Sequence, residues 1–148
     1  MIALLQRVGQ AEVRVGDRTV AAIGTGLLVL AAVERGDTSQ QARRLAERIC
    51  GYRVFPDGTG RMNLSVIEHG GEVLLVPQFT LAADTRKGMR ASFATAAEPE
   101  VGQALFAELA AAVNSRAGKV ALGEFGADMA VSLVNEGPVT FWLHAPPP

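Results

Sequence analysis

Short apolar runs, each ended by glycine or by charged residues, occupy the first quarter of the chain. Residues 2–8 and 11–15 are rich in Val and partly alternating, which predicts two strands. Gly16-Asp17 predicts a hairpin turn into a third strand over residues 19–23. Residues 27–33 are uninterruptedly apolar, which predicts a strand buried on both faces and therefore central in a sheet.

Two segments have the spacing of amphipathic helices. The first follows Thr38, because Gln41 three positions later completes a capping box. Its buried face is predicted to contain Ala42, Leu45, Ala46 and Ile49. The second begins near Pro99, which suits a first helical turn, and ends at Gly118. Its core stripe is predicted to contain Val101, Leu105, Leu109 and Val113.

The remaining pattern completes a single α+β domain. Further strands are predicted over residues 52–55, 62–65, 72–79, 119–122, 128–134 and 139–143, with a turn at 56–60 and a loop at 82–93. The order of strands, helix, strands, helix and strands predicts a mixed, largely antiparallel, barrel-like sheet with two main helices over residues 1–144. Residues 145–148 are mostly proline, which cannot pair regularly, so we expect a disordered tail.

Composition narrows the function classes. A chain of 148 residues, 49% of them apolar, is sufficient for one core. No apolar run approaches the roughly 20 residues of a membrane helix, and Gln6 and Arg7 interrupt the first run where a signal peptide would continue. We therefore expect a cytoplasmic protein. A formal net charge of -1 argues against a general polyanion binder, so any nucleic-acid contact must be local.

Cysteine and histidine offer little chemistry. Cys50 is the only cysteine, and its place beside Ile49 at the end of a predicted helix favours a buried structural thiol. His69 lies in a Gly-rich turn and His144 beside the Pro-rich end, without ligands at metal-site spacing. We expect neither a metal nor another cofactor.

Two polar motifs are candidates for a functional site. The first, Val76-Pro77-Gln78-Phe79-Thr80-Leu81, ends a predicted strand, so Gln78 and Thr80 would share one face and freed backbone amides could bind an oxyanion. The motif alone favours the alternative that Thr80 is an ordinary β-branched strand residue and Gln78 a solvated one. The second, residues 135–140, contains Gly137-Pro138. That bond could be an ordinary trans turn or a cis bond that displays two carbonyl oxygens.

The PQFTL and NEGPVT motifs resemble the SQFTL and NxGPVT signatures of D-aminoacyl-tRNA deacylases. The stretches IALLQRV, GLLVLAAVERGDT, RVFPDGTGRMNLSV, LAADTRKGMRASF and EFGADMAVSLVN also resemble that family. The resemblance is colinear and covers nearly all of the chain up to about Leu143.

The resemblance implies a homodimer with its active site at the subunit boundary. Gly137-Pro138 would be cis and inserted into the partner's pocket, where its carbonyls hold the substrate's α-amino group. An L side chain would then have no room, whereas glycine could not be excluded. Arg7 would brace this pair from across the interface, although an ordinary interface ion pair is the alternative.

The resemblance also assigns the other side of the site. Gln78, Phe79 and Thr80 would receive the 3′ terminal adenosine and the ester carbonyl of aminoacyl-tRNA, with the Phe79 amide as oxyanion donor. The ribose 2′-hydroxyl would help to activate water, so Thr80 is expected to position substrate and not to act as nucleophile. Phe125 and Met129 match positions near the adenine, although such a pair is more often core.

A basic cluster follows the first motif. Arg86, Lys87 and Arg90 could hold phosphates of the acceptor end, or they could be a solvated charge run.

One position departs from the family pattern, because Pro77 stands where the family has Ser. A relative in animals that clears L-alanyl-tRNA also has Pro there but lacks the Phe, which this chain retains as Phe79. The expected activity is therefore D-specific. The alternatives are a deacylase of relaxed chirality, a non-catalytic module that binds the tRNA acceptor end, and a dimeric scaffold without an RNA role.

Overall fold

A computed structural model describes residues 1–148. Its elements, in chain order, are β1 (Ile2–Val15), β2 (Arg18–Ile23), β3 (Gly26–Ala32), α1 (Ser39–Gly51), β4 (Phe55–Pro56), β5 (Met62–Leu64), α2 (Val66–His69), β6 (Glu72–Pro77), a 3-10 turn (Phe79–Ala82), α3 (Pro99–Ala117), β7 (Val120–Leu122) and β8 (Ala130–His144). None of the helices combines the length and the apolar character needed to span a bilayer.

The six-stranded sheet is mixed and nearly barrel-shaped, as predicted. Its order is β2-β1-β3-β6-β7, and β8 pairs with β1. The strand β1 pairs antiparallel with β2, β3 and β8, whereas β6 is parallel to both β3 and β7. The prediction that the run 27–33 is central and buried on both faces is confirmed, because β3 lies between β1 and β6 and nearly all of its side chains are buried.

Long strands replace pairs of predicted short ones. The predicted strands 2–8 and 11–15 form the single strand β1, because β3 pairs with its first half, β2 pairs with its second half, and β8 pairs along its other edge. The predicted strands 128–134 and 139–143 are likewise joined in β8. Asn135 pairs with Val8 and Thr140 with Gln6, so residues 136–139 bulge from the ladder opposite Arg7 alone.

The helices α1 and α3 pack together on one face of the sheet over the larger of the core clusters. The capping box at Thr38 is confirmed, since Thr38 Oγ1 accepts from the Gln40 amide at 3.2 Å and Gln41 Oε1 accepts from the Thr38 amide at 2.9 Å. In α3, Leu105, Leu109 and Val113 are buried, as predicted. The prediction that Val101 is buried is wrong, because 47% of its surface is exposed. Gly102, Phe106 and Ala110 complete the buried face instead.

Local hydrogen bonding overrides the strand pattern in two further places. The predicted strand 52–55 is wrong at its start, because the Tyr52 amide caps α1 by donating to Arg48 O at 2.9 Å. The short helix α2 was not predicted, although Ser65 and Glu68 form a capping box there. The expected strand 72–79 stops at Pro77, where the chain turns into the 3-10 turn.

The end of the chain makes more contacts than the predicted disordered tail would. Ala145 is buried, and its amide donates to Met1 O at 2.9 Å. The Gln41 side chain donates to Pro146 O at 3.3 Å. Packing therefore extends beyond the boundary predicted at residue 144.

Candidate functional site

A cavity of about 460 Å³ opens at the carboxyl ends of β3 and β6, beside the start of α3 and the segment that precedes β8. Adjacent parallel strands end on one side of a sheet, which is where such sites commonly form. The structure brings together Gln78, Phe79, Phe125 and Met129, all of which line this cavity. Thr80 lies next to it on the 3-10 turn.

Thr80 is held by its neighbour and not by a base. Gln78 Nε2 donates a short hydrogen bond to Thr80 Oγ1, so the two polar side chains lie on one side of the chain. No histidine or carboxylate side chain hydrogen-bonds this hydroxyl. Within the chain, Thr80 is thus a polar group at the site without a hydrogen-bonded base.

The first amides of the 3-10 turn are available to a ligand. The Gln78 amide is used, because it donates to Ala31 O at 2.7 Å. The amides of Phe79 and Thr80 have no partner within the chain, as is usual where a helical turn begins. Two adjacent N–H donors at the rim of a cavity can stabilise a developing oxyanion.

Pro77 ends β6 with its ring towards β7. Residues of a strand point their amides alternately to either side, and the Gln78 amide donates to Ala31 O of β3. The ring nitrogen of Pro77 therefore faces β7, where the Gly123 amide donates to Leu75 O at 2.9 Å. Proline cannot donate the next hydrogen bond of this ladder, so the pairing of β6 with β7 stops here.

Gly123 was not predicted as a site residue, yet its lack of a side chain allows Pro77 and Met129 to pack closely against it. A Cβ at Gly123 would lie 3.1 Å from Met129 Sδ and 3.2 Å from Pro77 Cδ. Met129 Sδ also accepts a hydrogen bond from the Glu124 amide at 3.3 Å. The only available sequence signal was a glycine directly after a predicted strand.

Phe125 and Met129 serve both the cavity and the core. The Phe125 ring lies 6.3 Å from that of Phe106 and contacts α3 at Gly102, where an added Cβ would be 3.5 Å from it. Met129 packs against the smaller cluster on the other sheet face. The functional and the core interpretations of this pair therefore describe the same apolar wall.

The Gly137–Pro138 bond is cis, and both residues are exposed. The bulge that carries them is fixed by Asn135, whose Oδ1 accepts from the Val139 amide at 3.1 Å and whose Nδ2 donates to Thr140 Oγ1 at 2.9 Å. Neither residue lines the cavity of its own chain.

The predicted position of Arg7 across an interface differs from the structure, which places it against the bulge of its own chain. Arg7 Nε donates to Glu136 O at 3.1 Å, and Nη1 donates to Val54 O at 2.8 Å. The cause is the pairing of β1 with β8, which sets Arg7 directly opposite residues 136–139.

The basic cluster lies on a loop closed by a β-bridge between Asp84 and Ser92. Arg86 is not free, because its Nε and Nη2 donate to the two carboxylate oxygens of Asp84 at 2.9 and 2.7 Å. These hydrogen bonds lower the pKa of Asp84 to about 2. Lys87 and Arg90 are exposed, and only Arg86 among the cations of the loop forms an ion pair.

The outer edge of β8 is unpaired within the chain. Its exposed face includes Val134, 45% exposed, and Trp142, 56% exposed. A strand of 15 residues with an open edge and exposed apolar side chains is unusual in a monomer, because such edges pair with other chains.

Comparison with known proteins agrees with the motifs. Residues 4–144 match the family model described as D-Tyr-tRNA(Tyr) deacylase. The chain is 66% identical to a D-aminoacyl-tRNA deacylase of Thioalkalivibrio sulfidiphilus, over 100% of this chain and 99% of that protein, and 62% identical to one of Methylococcus capsulatus, over 99% and 96%. It is also similar to a solved c-Myc DNA unwinding element binding protein, with a TM-score of 0.94, 34% identity and 99% of each chain covered. The chain belongs to the D-aminoacyl-tRNA deacylase family, hydrolases that act on the ester bond of aminoacyl-tRNA.

Proposed function

We propose that this protein hydrolyses the ester that joins a D-amino acid or glycine to the 3′ end of tRNA and spares L-aminoacyl-tRNA. The observation that carries the proposal is that the two motifs lie apart within one chain. Gln78 and Phe79 line the cavity of the chain, whereas Gly137 and Pro138 project from a braced bulge elsewhere on its surface. A second copy of the chain would complete the site.

The cavity suits the terminal adenosine. Its volume lies within the range of about 300–1,000 Å³ typical of small-molecule sites. Phe125 and Met129 supply an apolar wall for the adenine base, and the ester carbonyl would lie at the amides of Phe79 and Thr80. The Gln78 and Thr80 side chains would orient the ribose.

The second copy would provide the chiral filter. Carbonyl oxygens of its Gly137 and Pro138 would accept hydrogen bonds from the substrate's α-ammonium group. With the ammonium and the ester carbonyl both fixed, the two remaining positions on the α-carbon point in set directions. An L side chain would collide with the bulge, a D side chain would point away from it, and glycine would pass. Discrimination would thus rest on rejection.

The exposed strand β8 supports a dimer. The bulge interrupts this strand, so a partner that pairs with its open edge or packs on Val134 and Trp142 also approaches Gly137 and Pro138. Covering this edge removes an aggregation-prone surface from water.

The chemistry would depend on electrostatics more than on an acid–base pair. Water attacks the ester carbonyl carbon, the oxyanion is stabilised by the free amides, and the bond to the ribose 3′-oxygen breaks. The neighbouring 2′-hydroxyl would assist the proton transfer from water to the leaving oxygen. Thr80 has no base beside it, which favours this RNA-assisted course over an acyl-enzyme intermediate.

Release of amino acid from D-tyrosyl-, glycyl-, L-alanyl- and L-tyrosyl-tRNA tests the proposal. We expect rapid loss of the D-tyrosyl and glycyl esters and survival of both L esters. Thr80→Ala should reduce turnover about 10-fold without abolishing it, since a positioning hydrogen bond contributes on the order of 1 kcal/mol. Ser115→Ala removes an exposed hydroxyl of α3 and is the matched control.

Other outcomes would contradict specific parts of the proposed function. Cleavage of L-alanyl-tRNA would show that Pro77 accompanies relaxed chirality. Binding without cleavage of any ester would leave the non-catalytic acceptor-end module, and loss of activity by a factor of 10,000 in Thr80→Ala would restore Thr80 as the nucleophile. A monomer in sedimentation that retains chiral selection would exclude the shared site.

A further inference from the structure

A surface with aromatic and basic side chains borders the cavity, where residues 84–93 follow the 3-10 turn. We call residues 84–92, with the bridge between Asp84 and Ser92 at their base, the basic loop. Phe93 follows directly, and its ring lies 5.1 Å from that of Phe79 at an interplanar angle of 54°. Phe79 lines the cavity and Phe93 does not, so Phe93 extends the apolar rim outward.

These rings are exposed in a way that packing does not explain. Phe79 is 59% exposed and Phe93 is 43% exposed. Their backbone is nevertheless well fixed, because the Thr95 hydroxyl donates to Ala82 O, and the Ala97 amide donates to Val33 O at 3.1 Å. A rigid support that presents aromatic faces to water is typical of a stacking platform.

The charges of the basic loop are divided between structure and solvent. Arg86 is neutralised by the two-point contact with Asp84, the residue whose bridge to Ser92 closes the loop. Lys87 and Arg90 are exposed, have no carboxylate partner within the chain, and precede Phe93 by six and three residues on the same loop. Unpaired cations next to aromatic faces match single-stranded nucleic acid, which offers a base to stack and a phosphate to pair at each step.

We propose that Phe93 stacks the nucleotide that precedes the terminal adenosine, and that Lys87 and Arg90 bind the adjoining phosphates. This subsite rests on the proposed function, since the adenosine must occupy the cavity for the preceding nucleotide to reach Phe93. Every base has an aromatic face, so the contact is independent of sequence and suits a 3′ end shared by many tRNAs. Arg86 shapes the loop and does not contact RNA.

Two substrates separate the subsite from the catalytic cavity. One is D-tyrosyl-adenosine, which carries the ester but no preceding nucleotide, and the other is a D-tyrosyl-RNA minihelix with a single-stranded 3′ end. Phe93→Ala should lower kcat/KM about 10-fold on the minihelix, the scale expected for one stacked base, and leave D-tyrosyl-adenosine within about 2-fold of the wild type. Phe93→Tyr should retain activity on both, and Phe93→Leu should behave as Phe93→Ala.

Salt dependence tests the phosphate contacts. Lys87→Ala combined with Arg90→Ala should flatten the fall of minihelix affinity with salt concentration, by a log–log slope of about 0.7 per lost contact. Lys119→Ala combined with Arg43→Ala removes one exposed lysine and one exposed arginine outside the basic loop, so this double variant is the charge-matched control and should leave the slope unchanged.

The outcomes distinguish the two proposals. If the wild type cleaves neither substrate, the proposed function fails. If it cleaves both and Phe93→Ala weakens them equally, Phe93 only supports Phe79 and the subsite is excluded. If Phe93→Ala changes neither, RNA does not contact this ring, and the surface is left for a protein partner. D-tyrosyl-adenosine cleavage also reports that each variant is folded.

Discussion

The guanidinium of Arg7 bridges two segments that are distant in sequence, because Nε donates to Glu136 O at 3.1 Å and Nη1 donates to Val54 O at 2.8 Å. It thereby ties the bulge of β8 to the segment that follows α1. A planar fork of donors can hold two carbonyl oxygens at a fixed separation, which an ammonium group cannot do.

Arg7→Lys is therefore expected to loosen the bulge although it keeps the charge. Loss of a charged hydrogen bond should lower the free energy of unfolding by about 1.5–3 kcal/mol. Hydrolysis of D-tyrosyl-tRNA should fall at least about 10-fold, because the carbonyls of the bulge lose their fixed direction. Arg14→Lys, at an exposed position in the second half of β1, is the control. Unchanged activity and stability in Arg7→Lys would show that the bulge is fixed by Asn135 alone.

Gly137→Ala is expected to disturb the bulge sterically. Gly137 has φ +130, and an added Cβ would lie 2.7 Å from Val139 Cγ2 and 3.0 Å from Arg7 Nη2. The strained backbone should cost about 1–3 kcal/mol of stability, and turnover should fall more steeply than stability. Thermal unfolding and D-tyrosyl-tRNA release measure the two effects. Gly58→Ala, where an added Cβ meets nothing within 4 Å, should match the wild type in both.

The two faces of α3 differ in what they contribute to stability. Leu109 is fully buried, so Leu109→Ala should lower the free energy of unfolding by about 2–5 kcal/mol. Val101→Ala, on the exposed first turn, should change it by less than about 0.5 kcal/mol. Denaturant unfolding of the two variants checks this. Equal losses would mean that Val101 is covered in the assembled protein.

Cys50 should react as a buried neutral thiol. Burial raises its pKa to about 11 from an ordinary value near 9.0, so the thiolate fraction at pH 8 is about 100-fold lower than in an exposed cysteine. Thiol-specific dye should label the folded protein at least that much more slowly than the unfolded chain. The folded state keeps its proton longer than the unfolded state does, so this group's contribution to stability is lost as pH rises from 9 towards 11. Cys50→Ala should remove that part of the pH dependence, and rapid labelling at pH 8 would contradict it.

Local signals in the sequence were sufficient for the helices and for the central strand. Thr38 and Gln41 form a capping box within a few residues of each other, and Pro99 and Gly118 bound α3 for reasons contained in their own backbone preferences. The short, uninterrupted apolar run in β3, bounded by glycine and charged residues, favours a buried strand. The prediction that Val101 is buried failed for another reason. Whether the first turn of α3 is covered depends on where the sheet ends beneath the helix.

The motifs identified the family and one wall of the cavity, since residues 76–79 are local to one strand end. The bulge required pairing information. Nothing near Arg7 in the sequence indicates that it faces Glu136, because the contact exists only through the register of β1 with β8. The same applies to Gly123, whose small size matters only because Pro77 and Met129 meet there.

The sequence by itself therefore determined the two main helices, the central strand, the family and the identity of the candidate site residues. Tertiary structure alone decided that Gln78, Phe79, Phe125 and Met129 share one cavity, and that Gly137 and Pro138 lie outside it. The physical reason is the separation along the chain over which each kind of signal acts. Caps, turns and apolar periodicity act over a few residues, whereas strand register joins positions more than one hundred residues apart and sets which side chains meet.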